Sequence, residues 1–95
     1  MAKSILQTGK YCIYSGETQN LHKHHIFGAS SRKISDANGF WVWLTQEQHQ
    51  RLHANPNKGL DLELKIECQE KYLLQGGTME WWMDPINIGR NYFDS

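Results

Sequence analysis

All five histidines of the chain fall inside one stretch, Leu21–His53, with the sequence LHKHHIFGASSRKISDANGFWVWLTQEQHQRLH. His24 and His25 are adjacent, and His49 and His53 stand four residues apart. Adjacent side chains on a strand point to opposite faces, whereas positions i and i+4 of a helix share a face. For these residues to act at one place, the end of a strand must lie against a helix. That requirement selects a small α+β fold.

The surrounding residues supply those elements. Phe40–Leu44 (FWVWL) is aromatic and β-branched, the clearest strand signal in the chain. Thr45 followed by Gln48 matches a capping box, and QEQHQRLHA is rich in helix formers, so a helix is expected over Gln46–Ala54. Asn55-Pro56 should end it, because proline disfavours helix in the residue before it. Upstream, Tyr11–Tyr14 is a β-prone run, and Leu21–Phe27 is expected to pair back to it across the turn-rich segment Ser15–Asn20. Gly28–Gly39 reads as a polar loop. Downstream, a second helix is expected over Leu60–Gln75, ended by Gly76-Gly77, with Thr78 capping a short helix through Met83. Asp84-Pro85 reads as a further turn.

Ninety-five residues bound one domain, 1–95, with a core motif at 21–55 and supporting helices over 60–92. A chain of this size gains stability from a metal or a partner chain. It has no apolar run of membrane-spanning length and no apolar signal region in MAKSILQTGK, so no membrane partner is expected. Cys12 and Cys68 offer no disulfide framework, and reduced thiols in a cytoplasm are the expectation. Formal net charge is zero, but residues 21–58 carry five positives against two acids, while 59–95 carry three against seven. The histidine-bearing part is therefore the basic part, as a phosphate-binding face should be.

The chemistry follows from the spacing. His24, His49 and His53 are expected to give three nitrogen ligands to one divalent ion, leaving positions for water and a phosphate oxygen. Three imidazoles tilt the choice toward zinc, nickel or manganese, with magnesium an alternative through fewer ligands. His25, on the other strand face, is the expected general base for an attacking water. Arg32 and Lys33 are placed to straddle a backbone phosphate, and Arg51, on the helix between the ligands, is a further candidate contact. His22 has no slot among the ligands and is expected just outside them or at the surface. Of the aromatic pairs, Trp41 and Trp43 are expected to pack in the core rather than stack on bases. Trp81 and Trp82 are expected in the core or at a contact between subunits, and Arg90-Asn91-Tyr92 in C-terminal packing.

HHIFG…FWVWLTQEQHQRLH resembles the ββα-metal finger of HNH endonucleases. The likeness is greatest to the colicin-type DNases, in which a His-His pair opens the motif and a His-x-x-x-His pair closes it; here His49 stands 24 positions after His25. A looser resemblance, through YCIYSG, the RK segment, LDLELK and GRNY, runs to small HNH proteins of phages and prophages. The resemblance implies a treble-clef-like finger of short hairpins packed against two or three helices. It further implies metal-dependent hydrolysis of DNA, with a location in the bacterial host cell if the chain is phage-derived. Two departures stand out. The structural-zinc positions of many relatives correspond to Cys12, Ser15, Thr45 and Gln48, so no structural zinc is expected. The motif's middle Asn falls by spacing at Phe40, with Asn38 nearby but off register, so a backbone carbonyl of the Phe40–Trp43 strand is expected to hold the His25 ring. The alternative function is a non-catalytic accessory factor of the same fold that binds nucleic acid or a phage protein; a histidine-based regulatory metal-binding protein is the third. A homodimer is compatible with any of these.

Overall fold

The computed structural model describes residues 2–94. Two antiparallel strands, β1 (Leu21–His25) and β2 (Trp41–Thr45), form the sheet. The chain between them passes through a 3-10 turn, Ala29–Ser31, and helix α1 (Arg32–Asn38). After β2 come α2 (Gln46–Ala54), α3 (Gly59–Leu74) and α4 (Met79–Met83), and a 3-10 turn at Tyr92–Asp94. The protein is thus a small α+β chain, and no described helix is long and apolar enough to cross a membrane.

Two local expectations are corrected. Tyr11–Tyr14 is not a strand and does not pair with β1, whose partner is β2. The segment closes on itself instead: Cys12 N–H donates to Glu17 O and Gly16 N–H to Cys12 O, with Gly16 at φ 78°. Ile13 N–H, donating to Trp43 O, ties this turn to the sheet. Gly28–Gly39 is mostly ordered helix and turn rather than open loop. The Ser35 hydroxyl, fully buried, donates to Phe27 O at 2.7 Å and accepts from Phe27 N–H at 3.1 Å, fixing α1 to the chain leaving β1. Gly39 ends α1 in the left-handed region at φ 76°, its N–H on Ser35 O. A side chain there would also meet the Lys3 carbonyl of the N-terminal segment crossing above it.

The helices after β2 start and stop for the reasons read from their sequences. Thr45 Oγ1 accepts from Gln48 N–H at 3.3 Å and caps α2, which ends at Ala54, two residues before Pro56. Thr78 Oγ1 caps α4 in the same way. Along β2, Val42 and Leu44 are fully buried while Trp41 and Trp43 are only partly so. This reverses the expected assignment of the two faces. The helical layer, through Leu52 of α2 and Leu64 and Cys68 of α3, packs on the aliphatic face. The core is completed by Trp82, whose ring lies 5.5 Å from both Phe27 and Phe40, with Tyr92 against Phe27 at 5.7 Å. Gln69, fully buried on α3, donates to Asn91 and accepts from Tyr92 N–H, which holds the C-terminal segment on this core.

Candidate metal centre

The register of the sheet sets the geometry of the histidines. His22 and His24 lie opposite Leu44 and Val42, on the face covered by the helices; Lys23 and His25 lie opposite Trp43 and Trp41, on the other. α2 follows β2 directly and returns past β1, so its His49 and His53 meet His24. The candidate ligand nitrogens of His24, His49 and His53 all lie within 4.8 Å of one another. His49 Nε2 and His53 Nε2 are 2.9 Å apart, within hydrogen-bonding distance. The same spacing suits two neighbouring ligands that each sit about 2.0–2.1 Å from one ion.

His24 is the informative member. Its ring is buried, and its Nε2 has no hydrogen-bond partner. A buried polar atom left unpaired costs roughly 1–3 kcal/mol, and a cation in the three-imidazole cluster would satisfy this one. The donor set and the orphaned nitrogen therefore fit a divalent ion. Burial is the largest reason that His24 is pushed down from 6.5 to about 4; the His49 and His53 imidazoles beside it add to the shift, and Asp61 opposes it. His49 is also lowered, by burial first and then by His53 and His22. Neutral imidazoles are what metal binding requires.

This has a consequence for stability. At pH values between about 4 and 6.5 the unfolded chain protonates this histidine and the metal-free native state does not. The His24 contribution is therefore complete above about pH 6.5 and is lost as pH falls toward 4, by on the order of 3 kcal/mol in all. Thermal melts of metal-free protein across this range should show that loss, and His24→Asn should flatten it. An unchanged pH slope in His24→Asn would remove His24 as the cause.

His25 stands at the end of β1 with its Nε2 3.2 Å from Asp36 Oδ1. The expected backbone acceptor is therefore replaced by a carboxylate from α1, and Phe40 O accepts Ile26 N–H instead. Lys23 Nζ binds the same carboxylate oxygen at 3.0 Å. The Lys23 and His25 hydrogen bonds hold the Asp36 carboxyl below its ordinary range. With Nε2–H donated to Asp36, the free lone pair of His25 is on Nδ1. His25 borders two depressions. One, of about 130 Å³, is shared with His24, His53, Asp61 and Lys65. The other, of about 780 Å³, is shared with Lys23, Arg32, Lys33 and Asp36.

The remaining candidates are placed differently. His22 is exposed, its ring 5.9 Å from that of His49, outside the cluster of three. Asn38 donates to Ile34 O within α1 and takes no part in holding His25. Arg51 faces a separate depression beside Lys58, away from Arg32 and Lys33. Cys12 is fully buried. Burial raises its thiol, but hydrogen bonds from Ser15, and then from the backbone at Ser15, Thr45 and Tyr14, outweigh this and leave it lowered. Three residues at the site were not singled out from the sequence: Asp36, Asp61 and Lys65. Asp61, at 4% exposure, accepts from Asn57 N–H at 2.6 Å and pairs with Lys65 at 2.8 Å. Their i,i+4 spacing on α3 was a readable signal of the pair, though not of its place beside the histidines.

Comparison with family models, curated proteins and solved structures returns no match for this chain.

Proposed function

We propose that this protein is a metal-dependent endonuclease of the HNH, ββα-metal kind, hydrolysing phosphodiester bonds in DNA. The observation that carries the reading is the pairing of a three-imidazole cluster, containing an unpartnered buried Nε2, with an adjacent histidine held by a carboxylate. Metal binding alone needs His24, His49 and His53. A fourth histidine beside them, its Nε2 on Asp36, suits the further task of moving a proton.

When bound by the three imidazoles, a divalent ion supplies positive charge against the scissile phosphate and the leaving oxygen. His25 Nδ1 accepts the proton of the attacking water, and Asp36 steadies the imidazolium that results, since its carboxylate already receives Nε2–H. Lys65, its ammonium held by Asp61 and Asn57, lines the same cleft. Arg32 and Lys33 line the depression on the other side of His25, and in this reading they take the flanking phosphates. β1, β2 and α2 around these residues, with α1 inserted between the two strands, are consistent with a ββα-metal finger.

Incubated with supercoiled plasmid, the purified protein should convert it to relaxed or linear form with zinc, nickel, manganese or magnesium, and chelator should stop the conversion. Plasmid left supercoiled with every one of these ions would favour the non-catalytic accessory factor.

A further inference from the structure

The outer face of the sheet is the feature that the metal centre leaves unexplained. Trp41 and Trp43 project from it, away from the core, with ring centroids 5.5 Å apart at 85°. Lys23 Nζ lies 4.3 Å from the Trp41 ring centroid and Lys10 Nζ 4.7 Å from that of Trp43. The two indoles, with Lys3, Gln7 and Lys10, line a cleft of about 390 Å³. Lys23, standing over Trp41, also lines the depression that holds His25, Arg32 and Lys33, so the two hollows adjoin. Along this path stand five cations and one acid, Asp36, which is already engaged by Lys23 and His25.

We infer that these two hollows, on either side of Lys23, together bind a single-stranded segment of the nucleic acid, with unstacked bases on Trp41 and Trp43 and phosphates on Lys3, Lys10, Arg32 and Lys33. The inference rests on the nuclease reading, because His25 is what places the groove beside a scissile phosphate. Charge selects a polyanion. The indoles select among polyanions: an unpaired base offers a π-face to stack, whereas a closed duplex hides its bases in the stack. A lysine over an indole is held weakly at an exposed site. An arriving base therefore displaces the exposed Lys10 ammonium from the Trp43 ring face toward the adjoining phosphate, while Lys23 stays on Asp36. The favoured substrate class is single-stranded, frayed or branched DNA rather than intact duplex.

The test uses the full chain in chelator, so that nothing is cut, titrated with a short oligothymidylate and with a hairpin duplex. The single strand should bind more tightly and quench tryptophan fluorescence. Trp43→Leu should remove most of the quench and weaken single-strand binding about ten-fold. Should that variant fold poorly, Lys3→Ala/Lys10→Ala serves instead. It should reduce the slope of log affinity against log salt by about 1.4, the share of two phosphate contacts on a single strand. Equal binding of duplex and single strand without quenching would overturn the inference, as would displacement of the oligonucleotide by an equal concentration of a Glu-rich peptide. Plasmid cleavage, scored separately with metal, keeps the two readings apart. Cleavage without strand binding in the groove retires the groove alone. Strand binding with quench but no cleavage under any ion retires the nuclease and upholds the groove.

Discussion

His24→Ala should weaken divalent-metal binding by more than about 100-fold, beyond what loss of an outer partner of a metal ligand typically costs. His24 is the buried member of the three imidazoles, supplied by β1, while His49 and His53 come from one face of α2. Without it two imidazoles remain on a solvent-facing helix, a weaker and less selective grip. Because His24 is buried, its truncation also leaves a void. His53→Ala is the companion variant: His53 is exposed, and its removal should leave thermal stability of the metal-free protein nearly unchanged. Competition against a chromogenic chelator reads both. If both variants bound metal as tightly as wild type, the cluster would not be the metal site.

The second large effect is expected at the neighbouring position. His25→Ala should retain metal affinity and lose cutting by about 10²- to 10⁴-fold, the usual contribution of a positioned general base. The separation is possible because the two side chains leave β1 on opposite faces. His24 turns toward α2, and His25 toward Asp36 and the Arg32–Lys33 hollow. Asp36→Asn should lie between the two: its amide oxygen can still accept from Nε2–H, but the negative charge that steadies a protonated ring is gone. It should lower the rate at saturating DNA more than it alters apparent affinity.

The parts of the fold that could be read from the sequence are those fixed by local chemistry. The Thr45 cap, the helix formers behind it and Asn55-Pro56 are short-range signals, and α2 begins and ends where they lie. The pairing of His49 with His53 is likewise a property of one helix. Elements fixed by distant partners were not legible. α1 is a polar heptapeptide, RKISDAN, whose serine, aspartate and asparagine favour turns when nothing else intervenes. Its order comes from Ser35 docking on Phe27 and from Gly39, whose role as a terminating glycine was the one available sequence clue. Missing α1 meant missing Asp36, and with it the group that holds His25.

The alternation of Phe40–Leu44 was equally plain, but alternation does not say which face is inside. Aromatic bulk suggested the tryptophans. The helices instead pack on Val42 and Leu44, the face that also carries His24, and the indoles are left to Lys10, Lys23 and the N-terminal segment. Trp41 is anchored there by its Nε1–H to Ala2 O and by Ser4 Oγ to its own carbonyl. In the same way Tyr11–Tyr14 has strand composition but forms a closed turn, since β1 already has its partner in β2.

The division of labour between His24 and His25 is tested most directly on one preparation of His25→Ala, by titrating the metal and assaying plasmid relaxation side by side with wild type. The expected result is one ion bound per chain with wild-type affinity and no relaxation above background. Relaxation at the wild-type rate, or loss of the metal along with the activity, would contradict it.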